Sequence, residues 1–197
     1  MDILRNGKKI GYNKYNFITK NGFFIVKNET NFVAKIIGLN LLSIDSSSTE
    51  TYKNGKLVNY ESRTIQNKKT KYNDLTFNEK NKIYNIKGSS FNGKAPSDAL
   101  VGNWWNHNIL KSEIIISPLS GSLKFQEVYF LSKEILKIEK KIYDTSRFKI
   151  VVKKKIDGKK KEEFNVWLDN KSKIVLKVSY SKFGNWEYIV KNIKKNN

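Results

Sequence analysis

The sequence predicts a mainly β protein: one domain over residues 1–197, built from a single curled antiparallel sheet of about ten strands, a half-barrel or a barrel, with one or two short helices. Turn-forming dipeptides support this class, with Asn-Gly at 6–7, 21–22, 54–55 and 92–93 and Asp-Gly at 157–158. Such dipeptides adopt the positive φ angles that two-residue hairpins require. Between the turns, apolar and polar residues alternate, as they do in strands with one buried face.

The first three turns join long predicted strands. Residues 8–18 and 23–37 follow the first two turns, and the third joins residues 46–53 to residues 56–65. In the second strand, apolar residues share one parity and would line one face: Phe24, Val26, Phe32, Ala34 and Ile36.

The C-terminal third has the clearest pattern, that of a four-stranded antiparallel meander. Its strands are predicted at residues 147–156, 162–169, 173–181 and 186–193. In the second of them Trp167 faces away from Phe164, Val166 and Leu168, while the third has an apolar face that begins at Ile174. Residues 111–130 read as one further hairpin.

Helix signals are scarce. The best candidate is residues 97–102, with Ser97 as N-cap and Gly102 as its stop. Residues 132–142 fit a short helix or a strand equally well. A sheet of this many strands twists strongly and tends to curl, so its inside is either filled by side chains or open to a ligand.

The formal net charge is +20, which favours an anionic partner. An alternative is compositional bias, because the only arginines are Arg5, Arg63 and Arg147 and arginine is the preferred reader of phosphates. There is no cysteine and only one histidine, so disulfides, thiolate chemistry and cysteine- or histidine-rich metal sites are excluded and no cofactor is expected. No apolar run approaches the length of a membrane span, and the N-terminus lacks the apolar core of a signal peptide.

Several stretches, taken in order, resemble an uncharacterised family of bacterial envelope proteins, a domain of unknown function that looks related to lipoprotein-localisation-factor (LolA/LolB-like) half-barrels. The stretches are GKKIGYNKYNF (7–17), ETNFVAKIIGL (29–39), STETYKNGKLVNYESRT (48–64), NWWN (103–106), LSGSLKFQEV (119–128) and NVWLDNKSKIVLKVSY (165–180). Tyr52 and Leu168 depart from the aromatic residues that are frequent there in the family. The resemblance implies a half-barrel fold, a periplasmic location and apolar ligands, although a cytoplasmic location stays open.

The stretch around Trp104, Trp105 and His107 concentrates unusual residues. The two indoles would either plug the interior or form the mouth of a cavity, with Asn103, Asn106 and His107 as polar contacts. A catalytic role for His107 is disfavoured because no serine in the chain has the frame of a nucleophile elbow. The predicted binding residues are Trp104, Trp105, Asn106, His107, Glu50, Tyr52 and Trp167.

Glu50 allows two interpretations. It is either a solvent-facing edge charge or an inward carboxylate that needs a partner such as a lysine or Arg63. The leading functional hypothesis is a non-enzymatic envelope protein that binds or carries a lipid or other hydrophobic molecule, with lysines that attract an anionic membrane surface. The alternatives are a nucleic-acid-binding barrel, with lysines at 153–155 and 159–161, and a structural protein with a filled interior. Oligomeric state is left open.

Overall fold

The computed structural model describes residues 1–36, 39–153 and 162–194. These residues form fifteen strands and one 3₁₀ helix at His107–Leu110. The strands are β1 (Asp2–Arg5), β2 (Lys8–Lys20), β3 (Phe23–Ile36), β4 (Leu39–Lys53), β5 (Lys56–Gln66), β6 (Lys69–Asn78), β7 (Ile83–Gly88), β8 (Asn92–Pro96), β9 (Leu100–Val101), β10 (Ile114–Ile116), β11 (Leu123–Ile138), β12 (Lys141–Lys153), β13 (Glu162–Asp169), β14 (Val175–Ser181) and β15 (Asn185–Ile189).

All fifteen strands belong to one sheet, in the order β8-β7-β6-β5-β4-β3-β2-β1-β15-β14-β13-β12-β11-β10-β9. Neighbours are antiparallel except β9 and β10, which run parallel. The pairing of β1 with β15 joins an N-terminal meander to a C-terminal one. The mainly β class is confirmed, but the expected number of about ten strands is too low, partly because residues 83–101 contribute three short strands to the sheet.

The sheet is open but strongly curved. Its edge strands are β8 and β9, and only residues 97–99 separate them. That connection can span at most about 14 Å. A flat sheet of this size would place its edges roughly 67 Å apart, at about 4.8 Å per strand. The sheet therefore bends back until its edges come close, but β8 and β9 do not pair, so the closed-barrel alternative is wrong.

Three of the predicted turns are confirmed. The asparagine and the glycine at 6–7, 21–22 and 54–55 all have positive φ. The predicted turn at 92–93 is wrong, because both residues lie in β8 and pair with β7. The predicted turn at 157–158 lies outside the described residues.

The predicted helix at 97–102 is also wrong. Residues 97–98 form a turn, and Leu100–Val101 forms β9, whose Val101 is buried in the core with Ala99. Tertiary pairing with β10 overrides the local helix signals here. Residues 132–142 are strand, since β11 and β12 form a hairpin whose turn contains Glu139 at a φ of 54°.

The core lies on the concave side of the sheet. Phe24, Val26, Phe32 and Ala34 face that side as predicted, whereas the side chain of Ile36 lies outside the described residues. The C-terminal meander forms as predicted, with Phe164, Val166 and Leu168 in one cluster and Trp167 on the other face. The predicted apolar face of the third strand, which begins at Ile174, is interrupted. The register between β13 and β14 shifts there, and the consecutive residues Val175 and Leu176 are both buried.

Candidate functional site

Residues 102–113, the inner segment, connect β9 to β10 and cross the concave side of the sheet. The inner face of the neighbouring strands is marked by Val26, Glu50, Tyr60 and Leu75, which are cross-strand neighbours and at most 2% exposed. The inner segment contains the 3₁₀ helix, which Asn106 caps by accepting from the Asn108 amide N–H. Its position places the Trp-rich stretch inside the curve.

The turn between β10 and β11 is tied to the same face. The Pro118 carbonyl accepts from Tyr60 Oη at 2.9 Å and from Ser62 Oγ at 2.6 Å. Next to it, Asn73 Nδ2 donates to the Ser117 carbonyl at 3.1 Å. These bonds connect β5 and β6 to the opposite end of the sheet and hold it in its curved form.

Glu50 is the polar centre of the concave side. It is 2% exposed, and its Oε1 accepts from Asn103 Nδ2 at 2.6 Å and from Trp105 Nε1 at 2.8 Å. Its Oε2 accepts from Tyr52 Oη at 2.5 Å. The interpretation of Glu50 as a solvent-facing charge is therefore wrong. The expected partner is wrong as well, because Arg63 pairs with Asp74 and the partners of Glu50 among the described residues, Tyr52, Asn103 and Trp105, are all neutral.

Burial governs the protonation of this group. It raises the pKa of Glu50 above its ordinary value, and the three hydrogen bonds only partly oppose this effect. Burial and the nearby Glu50 carboxylate together raise the pKa of Tyr52, so its phenol stays protonated and donates to Glu50. A buried carboxylate with a raised pKa and only neutral partners among the described residues is typical of functional sites and also of structural networks.

Trp105 is the centre of an aromatic cluster, formed with Phe17, Phe24 and Tyr52. Its ring centroid lies 5.6 Å from that of Phe17, 6.0 Å from Phe24 and 5.8 Å from Tyr52, all in edge-to-face geometry. Phe17 is 52% exposed although it belongs to this cluster. It lies on the part of β2 that β1 does not cover, because β1 pairs only with residues 8–12. The cluster therefore reaches solvent at a gap beside β2.

Trp104 points away from Trp105. Its ring contacts Phe164 at 5.5 Å and packs against the C-terminal half of the core. The two indoles therefore contact opposite halves of the curved sheet. Trp104 has the position of a plug residue, and Trp105 lies beside the gap.

The remaining predicted site residues lie in different places. Asn106 reaches Tyr52 and caps the 3₁₀ helix. His107 is half-buried at the start of that helix, and no hydrogen bond or ion pair joins its side chain to another described residue. Trp167 lies on the convex face, where its indole donates to Glu134 and its ring is flanked by Arg147 at 4.9 Å and Lys177 at 5.1 Å. It is not part of the Trp105 cluster.

A band of polar side chains crosses the inner face beside Glu50, and the sequence interpretation missed it. Its members occupy neighbouring register positions and are at most 8% exposed: Asn13, Asn28, Ser48, Ser62 and Asn73. Asn28 donates to Asn13, and Asn13 donates to Tyr15 Oη at 3.1 Å. Burial raises the pKa of Tyr15, which keeps that phenol protonated. The concave side therefore combines the aromatic cluster around Trp105 with buried polar groups, which are Glu50 and its partners next to Trp105 and this band farther along the strands.

Phe17 and Phe24 are the functional candidates that sequence reasoning missed. The alternation along β3 already predicted that Phe24 and Val26 share one face. The hairpin turn at 21–22 pairs Phe17 with Val26, which places Phe17 on the same face. Extending the parity argument across that hairpin would have identified both. Among the described residues, no group of three or more histidine, cysteine or acidic side chains is placed to hold a metal ion.

Comparison with known proteins places the chain in one family. Residues 1–191 match the family described as a domain of unknown function, DUF6134. The chain belongs to the DUF6134 family. No curated protein and no solved structure shows significant similarity to this DUF6134 chain. Among its described residues, no helix is long and apolar enough to cross a membrane.

Proposed function

We propose that this DUF6134 protein binds a lipid or another hydrophobic molecule at the gap beside β2, without catalysing a reaction. The observation that carries the proposal is the half-exposed Phe17, which joins a buried aromatic cluster beyond the part of β2 that β1 covers, on the side of β2 opposite β3. An apolar chain that covered Phe17 and Trp105 would gain about 25 cal/mol for each Å² removed from water.

The polar groups of the site would orient such a ligand. Tyr52 and Asn106 lie beside the aromatic cluster, and Glu50 holds Trp105 in place. Pockets for small molecules combine an apolar lining with a few such polar groups. The resemblance to half-barrels of the bacterial envelope supports the same ligand class and a periplasmic location. The surplus of lysines supports attraction to an anionic membrane surface.

A structural protein with a filled interior is the second candidate. The bonds from Glu50 to Asn103 and Trp105 favour it, because they fix the inner segment inside the curve. Trp104 fills the other half of the core. Nucleic-acid binding has less support, because the aromatic rings around Trp105 face the concave side. Most of the two lysine runs lies outside the described residues.

Native mass spectrometry of the purified chain, followed by organic extraction, tests the proposal. We expect a co-purifying apolar molecule, or uptake of the fluorescent fatty acid cis-parinaric acid by the apo protein. Phe17→Ala should weaken this uptake, whereas Phe183→Ala, which removes an exposed ring from the turn between β14 and β15, should not. A clean apo mass without fatty acid uptake would favour the filled interior.

Ionic strength distinguishes the two expected interactions with lipid, which are binding to an anionic membrane surface and uptake of an apolar ligand. Raising the ionic strength should weaken binding to anionic vesicles, because it screens the lysines. It should leave uptake of cis-parinaric acid at the aromatic cluster unchanged, because that binding rests on apolar burial. Equal loss of both would show that one charged surface accounts for all lipid contact.

A further inference from the structure

The edge of β11 is open along most of its length. β11 spans Leu123–Ile138, but β10 pairs only with its first residues, Leu123 to Phe125. The last bond on that side runs from the Gln126 amide N–H to the Glu113 carbonyl at 2.9 Å. Among the described residues, no strand pairs with residues 128–138 on this side. Open edges of this length are templates for an additional strand.

A groove adjoins Ile114, the first residue of β10. It has a volume of about 570 Å³ and lies between residues 110–113 of the inner segment and residues 125–129 of β11. A strand that continued the line of β10 along β11 would pass through this groove. The groove and the open edge therefore form one continuous surface.

Apolar side chains are exposed along the same edge. Phe130 is 57% exposed and Ile135 is 67% exposed, and Tyr129 and Leu131 are also exposed. Ile142, which pairs with Lys137 on the neighbouring strand and lies diagonally from Ile135, is 70% exposed. A strand on the edge of β11 would cover part of this surface, and β-strand addition uses such alternating side-chain contacts for specificity.

The charge of the β11–β12 hairpin identifies the kind of partner. Glu127, Glu134 and Glu139 contact Lys153, Trp167 and Lys191. Four lysines of the hairpin form no ion pair within the described part of the chain: Lys133, Lys137, Lys140 and Lys141. Among the described residues, two carboxylates at this end of the hairpin form no ion pair either, Glu134, whose partner Trp167 is uncharged, and Asp144, so the four lysines outnumber them. The open edge is therefore flanked by uncompensated positive charge.

We propose that the open edge of β11 binds an extended acidic segment of a partner protein, which adds to the sheet as a further strand. The backbone of residues 128–138 supplies the hydrogen bonds, and Phe130 and Ile135 supply apolar contacts. Lys133 and Lys137 select acidic side chains on the partner. This proposal is independent of ligand binding beside β2.

A second copy of this chain fits the edge poorly. Antiparallel pairing of two β11 edges would bring Lys133 and Lys137 of both copies together, and like charges that face each other across strands are destabilising. The net charge of +20 adds a general repulsion. The bulge between Phe130 and Ser132 also disturbs a regular edge. These features protect the edge from self-association, and the lysines leave it complementary to an acidic strand.

The test uses a fluorescein-labelled peptide of about ten residues in which valine and glutamate alternate. A matched peptide carries lysine in place of glutamate. We expect the acidic peptide to raise fluorescence anisotropy on titration with the full chain, and the basic peptide to give no change. Bound peptide should also slow amide hydrogen exchange at Lys133, Ile135 and Lys137.

Ile135→Pro tests the backbone contact. The Glu134 carbonyl accepts from Thr145 Oγ1 at 2.7 Å, so the backbone of Glu134 faces β12 and that of Ile135 faces the open side. Proline on an open edge removes an outward N–H without breaking the ladder to β12. We expect Ile135→Pro to weaken peptide binding by at least roughly tenfold. Ile135→Ala keeps the N–H and loses only the apolar contact, so it should weaken binding clearly less than Ile135→Pro does.

A double variant, Lys133→Glu with Lys137→Glu, keeps the test valid should Ile135→Pro fail to fold. It should reverse the preference, so that the basic peptide binds and the acidic one does not. Unchanged binding by a folded Ile135→Pro would overturn the proposal, as would equal binding of both peptides or of neither. Lysine-dependent binding to phosphatidylglycerol vesicles without peptide binding would assign this surface to a membrane and overturn it too.

Discussion

The Trp105 indole N–H donates to Glu50 Oε1 at 2.8 Å, although 55 positions separate the two residues in sequence. Asn103 reaches the same oxygen at 2.6 Å. One carboxylate oxygen on β4 therefore anchors two residues of the inner segment. Leaving a buried polar group without its partner costs about 1–3 kcal/mol. Displacing the inner segment would break both bonds, so Glu50 links the curvature of the sheet to the position of Trp105.

The raised pKa of Glu50 predicts a specific pH dependence of stability. The folded state holds the proton of Glu50 to a higher pH than the unfolded state, where its pKa is close to the ordinary value of 4.5. This contribution to stability is complete below that value and is lost as pH rises through the folded pKa. Glu50→Gln mimics the protonated side chain, so its stability relative to the native protein should increase with pH. Urea unfolding from about pH 4 to about pH 8 measures the difference.

Glu61→Gln is the matched control. Glu61 lies on β5, on the exposed face, and accepts from Asn59 at 3.1 Å. Its replacement should leave the pH profile of the unfolding free energy parallel to that of the native protein. Parallel profiles for Glu50→Gln and the native protein would contradict the raised pKa of Glu50.

Substitutions at Trp105 distinguish the contribution of its ring to stability from the contribution of its N–H. Trp105→Ala removes the centre of the aromatic cluster and should lower the free energy of unfolding by about 3 kcal/mol. Trp105→Phe keeps an aromatic ring but loses the bond to Glu50 and part of the ring volume, which together should cost about 1–3 kcal/mol. Phe183→Ala, at an exposed turn, should change stability by less than about 0.5 kcal/mol. Chemical denaturation compares the three, and a Trp105→Ala variant as stable as Phe183→Ala would refute the structural role of this cluster.

Local sequence signals predicted the long hairpins well, because Asn-Gly turns and the alternation of apolar and polar residues can be recognised within short stretches of sequence. They predicted that Trp167 faces away from Phe164, and the structure confirms it. They failed at residues 97–102, where the preference for a helix is weaker than the parallel pairing of β9 with β10. The hydrogen bond between Glu50 and Trp105 could not be predicted from the sequence either, because it depends on how far the sheet bends and not on any local pattern.

The close approach of β7 to the β10–β11 turn makes Gly88 a sensitive position. A Cβ atom there would lie 2.4 Å from the Ser120 carbonyl oxygen and 2.9 Å from its carbon, and neither backbone atom can move freely. Gly88→Ala should lower the free energy of unfolding by about 1–3 kcal/mol, as overpacking does. At Gly93 the nearest atoms belong to the end of the Phe91 ring, which can rotate away. Gly93→Ala should therefore cost less, and an equal loss of stability in both variants would show that the turn is not held against β7.

Trp105 and Trp167 lie on opposite faces of the sheet, so we expect only Trp105 to contribute to ligand binding. Trp167 is flanked by Arg147 and Lys177 on the convex face, far from the gap beside β2. Trp167→Phe should therefore leave uptake of cis-parinaric acid unchanged, whereas Trp105→Phe should reduce it, because the ring that the ligand contacts loses its anchor to Glu50. Fluorescence titration of both variants, each first shown to be folded by circular dichroism, makes the comparison. Reduced uptake in Trp167→Phe alone would move the ligand to the convex face, where a positively charged surface rather than the aromatic cluster would have to bind it.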